Sequence, residues 1–169
     1  MQAGQIVLVD TNIIIEAVRT NCWSAIIGHF VVETVQKCCE EARTGKAHRP
    51  GYVEIDEAIL RTRLTAHPVT NSELVALGVR DVEASRLDPG ERELWAHALS
   101  RTDAWVACSC DRGAIKAAVR LGWEDQLVSL EELAHAVGAW TALKQLRGQF
   151  KSGRLSEWRT AALLERGFK

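Results

Sequence analysis

Four branched apolar residues in a row, Ile6-Val7-Leu8-Val9, run straight into the acid Asp10. A run without polar alternation predicts a strand covered on both faces, as at the centre of a parallel sheet. From Asn12 to about Val18 the chain continues as helix. Residues 29–32 predict a short second strand, and Glu33 to about Arg43 a helix that ends at Gly45. Pro50-Gly51 reads as a turn, Tyr52 to Ile55 as a strand or extended segment, and Asp56 as the cap of a helix over 57–64, with Pro68 breaking the chain again. One or two short helices are expected in 72–86.

Asp88-Pro89-Gly90-Glu91 is a sharp helix start, with Asp at N-cap, Pro at N1 and Glu at N3. The helix behind it carries Leu94, Trp95, Ala98 and Leu99 on one stripe. Residues 104–110 predict another buried strand, which ends at Asp111. A helix bearing Ile115, Ala118, Val119 and Leu121 follows and stops at Gly122, and Leu127-Val128 forms a last short strand. Ser129 and Glu132 make a capping box for a helix with apolar positions 130, 133, 137, 140 and 143, and a final helix spans about Ser156 to Arg166. Alternating strands and helices through residues 5–128 predict an α/β fold of three α/β/α layers with a central, mostly parallel sheet. The expected division is a domain over 1–129 and a basic helical extension over 130–169 packed on or beside it.

Composition changes this picture little. The chain has 169 residues, 47% apolar and 25% charged, as ordinary globular domains do. It contains no apolar run of the roughly 18 residues that a membrane span needs, and it opens on no secretory signal. The five cysteines are an odd count without framework spacing, which fits buried thiols in a cytoplasmic protein. Charge is more informative. From residue 141 onward seven basic side chains face two acidic ones, a net +5, leaving −6 for residues 1–140 of a chain whose formal charge is −1. A basic tail on an acidic body predicts either a polyanion-binding surface or a solvated helical face. Lys144, Arg147, Lys151, Arg154 and Arg159 are its candidate RNA contacts, with Trp158 available for base stacking and Trp140 expected in the core.

The acids carry the candidate chemistry. Asp10 and Asp111 each end a strand and open a helix, so two neighbouring central strands bring both carboxylates to one sheet edge, where open α/β sheets place their ligands. Glu91 begins a helix that packs over that edge. Glu33 and Glu40 are seven apart on the expected 33–43 helix and share a face. Clustered carboxylates repel unless divalent cations neutralise them, so the set is an oxygen-ligand site for Mg²⁺ or Mn²⁺. Each acid also has a plainer reading: Asp10 and Asp111 as helix caps, Glu91 as a capping-box member, Glu33 and Glu40 as solvated surface.

The phrase Val7-Leu8-Val9-Asp10-Thr11-Asn12-Ile13-Ile14-Ile15-Glu16-Ala17 resembles the opening of a PIN-domain nuclease. Gly90-Glu91-Arg92-Glu93-Leu94-Trp95-Ala96-His97-Ala98 resembles that family's third-acid helix, and Cys110-Asp111-Arg112 through Leu121-Gly122 its fourth-acid strand–helix step. The likeness covers about residues 5–128. It implies a metal-dependent endoribonuclease, with Asp10, Glu91 and Asp111 as metal ligands and Thr11 and Asn12 in support. It also implies a glutamate on the helix after the second strand; Glu40 is the first choice, Glu33 the second and Glu41 the third. Many such nucleases are VapC-type toxins, in which a small antitoxin protein covers the cleft and the toxin commonly forms a homodimer.

Other chemistries fit less well. A haloacid-dehalogenase-type phosphatase needs a second aspartate where Asn12 stands. No Gly-rich phosphate loop and no nucleophile elbow occurs. The alternative from another class is a catalytically incomplete PIN-like module that binds RNA or a protein partner.

Overall fold

The computed structural model describes residues 1–44, 55 and 63–167. Within them lie five strands: β1 (Ile6–Val9), β2 (Val31–Val35), β3 (Leu64–His67), β4 (Trp105–Cys108) and β5 (Leu127–Val128). All pair in parallel in the order β3-β2-β1-β4-β5. The fold is therefore the expected α/β class, with helices on both faces of the sheet.

Alternate residues of β1 supply the two faces. Val7 and Val9 pack with Ile13, Ile14 and Ala17 of α1 (Thr11–Arg19) and with Trp23 and Ile26 of α2 (Trp23–His29). Leu8 packs on the other face with Leu77 of α4 (Asn71–Arg80), Leu94 and Trp95 of α5 (Pro89–Ser100) and Ile115 of α6 (Arg112–Arg120). Each fully buried aliphatic side chain of this kind contributes roughly 1.5–3 kcal/mol over its exposed form. Helix α3 (Gln36–Thr44) continues directly from β2 and divides its loyalties, with Cys38 in one core and Ala42 in the other.

Several boundaries differ from the sequence expectation. Strand β2 persists to Val35 because Glu33, Thr34 and Val35 are all buried, so the helix begins at Gln36 rather than Glu33. Helix α2 and strand β3 went unpredicted. The expected turn at 50–51 and most of the strand at 52–55 and the helix at 57–64 lie outside the described residues; Leu64, at the end of that helix, belongs to β3. The long helix expected after Ser129 is two short ones, α7 (Leu130–Ala136) and α8 (Trp140–Gln145), parted by Gly138 at φ +67°. The last helix, α9 (Ser152–Gly167), starts four residues before Ser156.

Residues 130–167 pack on the body. Leu130, Leu133, Leu146 and Phe150 enter the α1-side core, and Leu155 the opposite one. Polar contacts fix the join. The Glu16 carboxylate, fully buried in α1, accepts from Arg19 Nε (2.8 Å), and from the Arg147 backbone N–H (3.0 Å) and Nε (2.8 Å). Burial alone pushes its pKa up, but these donors outweigh it and hold the group at about 2. Among the described residues no helix is long and apolar enough to cross a membrane. The five cysteines are free thiols, four buried and Cys39 half-buried.

Candidate active site

The order β3-β2-β1-β4-β5 reverses direction between β1 and β4, so the crevice at their carboxyl ends is where a ligand is expected in such a sheet. Asp10 follows β1 directly and Asp111 follows β4 by three residues, which places both on that crevice. Asp10 is 1% exposed. Its Oδ1 accepts from the Ile13 N–H (2.9 Å), capping α1, and its Oδ2 accepts from Ser109 Oγ (2.6 Å). Asp111 Oδ1 accepts from the N–H groups of Gly113 (2.6 Å) and Ala114 (3.0 Å), capping α6. Ser109 links the two acids, because the same hydroxyl oxygen accepts from the Asp111 N–H at 3.3 Å.

Burial pushes the Asp10 carboxyl up to about 6, with the Asp111 charge adding to it and the hydrogen bonds opposing it. Glu91, in the first turn of α5, is 9% exposed. Burial and the charges of Asp111, Asp10 and Asp88 push it up to about 8, against a hydrogen bond from the Asp88 backbone. The three acids thus feel one another electrostatically, and their mutual repulsion opposes joint ionisation near neutral pH.

The three candidate glutamates are held differently. Glu40 is exposed and pairs with Lys37 at 3.2 Å. Glu33 lies within β2 and bonds away from the crevice, to His67 and Arg101. Glu41 Oε2 accepts from Thr11 Oγ1 (2.9 Å) and its Oε1 from the Gly90 N–H (3.1 Å). It therefore sits between the neighbour of Asp10 and the neighbour of Glu91. Gly90 makes this approach possible, since a Cβ there would lie 2.5 Å from Glu41 Oε2. Thr11 donates to Glu41, whereas Asn12 is exposed in the first turn of α1.

Two hydroxyls that the sequence reading passed over help to build the site. Besides Ser109, Thr34 Oγ1 donates to the Val9 carbonyl at 2.6 Å, tying β2 to β1 where Asp10 emerges. Asp88 occupies the N-cap position of α5 without a side-chain cap bond; the Glu41 carboxylate serves the Gly90 N–H instead.

The basic tail divides. Arg147 is committed to Glu16, and Arg159 donates to the Glu124 carbonyl at 3.3 Å. Arg154 pairs with Glu157 and lies 5.7 Å from the Trp158 ring centroid. Lys144 and Lys151 are exposed. Trp158 packs partly against the core and Trp140 is 59% exposed, the reverse of the expected placing of Trp140.

No protein-family model, curated protein or solved structure matches the chain.

Proposed function

We propose that this protein is a PIN-like, divalent-metal-dependent endoribonuclease with Asp10, Glu41, Glu91 and Asp111 as its acid cluster. The observation that carries this reading is the burial of Asp10 and Glu91 beside Asp111, at the crevice where the sheet order reverses. An all-oxygen set of mutually repelling carboxylates suits a hard cation such as Mg²⁺ or Mn²⁺. When bound, such an ion activates a water and neutralises charge on phosphoryl oxygens. Asp10, Asp111 and Glu91 would hold it. Glu41, fixed by Thr11 and the Gly90 N–H, would orient water or a second ligand position. Ser109 keeps the Asp10 carboxylate turned toward Asp111. Exposed Lys144 and Lys151, with Arg154 beside its partner Glu157, would meet an RNA backbone; Arg147 serves the fold. Membership of a toxin–antitoxin pair, with a small antitoxin over the crevice and a homodimeric toxin, belongs to the same proposal.

A second reading has its own observation. Asp10 and Asp111 each accept N–H groups of the helix that follows, as caps do in a module that only binds RNA or a protein. Digestion of a mixed RNA pool separates the two. The nuclease cleaves with Mn²⁺ or Mg²⁺, stops in EDTA and stops as Asp10→Ala. A binding module retains RNA without cutting it. Undiminished cleavage by both Asp10→Ala and Asp111→Ala removes the proposed site.

A further inference from the structure

A second cluster lies apart from the crevice acids, on the face of the sheet under α5. Glu33 rises from the middle of β2, His67 ends β3, and His97 sits in the last turn of α5. Glu33 Oε2 is 2.8 Å from His67 Nε2 and 3.9 Å from His97 Nε2, and one ligand atom from each residue lies within 4.8 Å of the others. The two imidazoles stack with centroids 4.3 Å apart at 18°, and both Nε2 atoms lie within 4 Å of Glu33 Oε2. Ligands around a four-coordinate Zn²⁺ at about 2.0–2.1 Å stand roughly 3.4 Å from each other, so small shifts suffice to close the site.

The proton arrangement supports a cation here. Arg101 NH1 lies 3.0 Å from His97 Nε2, and a guanidinium only donates, so that nitrogen presents a lone pair inward. Arg101 also donates to Glu33 Oε2 at 2.5 Å. The cluster is thus already built around a positive charge. Arg101 is held from its other edge by Asp103, through Nε (2.9 Å) and NH2 (2.7 Å), and Asp103 is exposed. The guanidinium therefore has an outer partner to withdraw to. His67, with its side chain 31% exposed on a strand at one edge of the described sheet, gives an ion a way in.

We propose that Glu33, His67 and His97 form a second metal site, for a late first-row divalent cation such as Zn²⁺ or Co²⁺, which displaces the Arg101 guanidinium when it binds. Two imidazoles and one carboxylate favour these ions over the hard cations suited to the crevice. His67 donates its Nε2 proton to Glu33 in the metal-free form, so an ion held by that nitrogen requires the ring proton to move to Nδ1. The ion would tie β2, β3 and α5 together.

The test is a Co²⁺ titration of the Asp10→Asn/Glu91→Gln chain, which lacks two of the three crevice ligands, followed by visible absorption and calorimetry. The proposal expects one ion per chain with imidazole-type bands, loss of that binding in His67→Asn, and affinity raised about tenfold or more by Arg101→Gln, which removes a competing charge-assisted donor. Circular dichroism and thermal melting confirm that each variant folds, and His97→Gln is the second ligand variant if His67→Asn does not. Absence of Co²⁺ binding, or binding untouched by both histidine variants, overturns it. Binding seen only with Arg101→Gln also overturns it for the natural chain, since Arg101 would then be the resident cation. Because the histidine variants leave the crevice unchanged, the outcome is independent of whether the chain cleaves RNA.

Discussion

Glu91→Gln should make the metal-free protein more stable at alkaline pH. Glu91 is pushed from an ordinary 4.5 up to about 8 in the folded chain, by burial and then by Asp111, Asp10 and Asp88. For an acid whose folded pKa lies above its unfolded one, the folded state binds the proton more tightly. The stability from that proton is full below about 4.5 and is lost as pH rises through about 8. Each pKa unit corresponds to about 1.4 kcal/mol, so the loss across this window is at most roughly 5 kcal/mol. Glutamine keeps an oxygen for the Asp88 N–H and carries no charge. At pH 8 in EDTA the variant should therefore gain about 2–4 kcal/mol, or roughly 5–15 °C in Tm for a chain of this size. At pH 4.5, where wild-type Glu91 is protonated, the two proteins should melt together. Adding Mn²⁺ should raise the Tm of the wild type, more at pH 8 than at pH 6, and leave the variant nearly unmoved. Differential scanning calorimetry across pH 4.5–8.5 reads all of this. A variant no more stable than wild type at pH 8 in EDTA would refute the electrostatic account of the crevice.

Other outcomes follow from the same geometry. Glu41→Gln should lower RNA cleavage by about 10–100-fold, as loss of an orienting carboxylate does, while Glu40→Gln leaves it unchanged; single-turnover cleavage at saturating Mn²⁺ compares them. Gly90→Ala should cost a similar factor, because the new Cβ meets Glu41 Oε2 at 2.5 Å, and circular dichroism should show the fold retained. Glu16→Gln should destabilise the chain by about 2–4 kcal/mol in urea unfolding, since it leaves Arg19 and Arg147 without their buried anion. The folded pKa of Glu16 is held at about 2 against an ordinary 4.5, so its contribution is present above pH 4.5 and lost as pH falls toward 2. The difference between wild type and variant should shrink over that acid window.

What could be read from the sequence was what periodicity and strand ends encode. Ile6–Val9 has no polar alternation, and the structure buries Val7, Leu8 and Val9 completely beside Asp10. The choice among Glu33, Glu40 and Glu41 depended on where β2 stops. A helix begun at Glu33 puts 33 and 40 on one face. Begun at Gln36, it turns Cys38 and Ala42 inward, and Glu41 lies near that face while Glu40 is about 200° from Cys38. Strand β3 escaped because Leu64-Thr65-Ala66-His67 lies at an edge of the sheet among the described residues, with half its side chains exposed and no apolar run. Ser109 and Thr34 are single hydroxyls, and nothing in the spacing of a lone Ser or Thr marks the carbonyl or carboxylate it will meet.

The Glu16–Arg147 contact bears on how this chain can be divided. A natural stop or a protease cut near residue 129 would leave the anion with Arg19 as its remaining partner among those seen here, and would uncover the α1-side surface that Leu130, Leu133 and Phe150 now cover. Because α1 carries Asp10 at one end and Glu16 nearer the other, such a loss would be felt by the very helix that begins at the crevice. Residues 130–167 are thus less an attachment to a finished body than the lining of one of its walls.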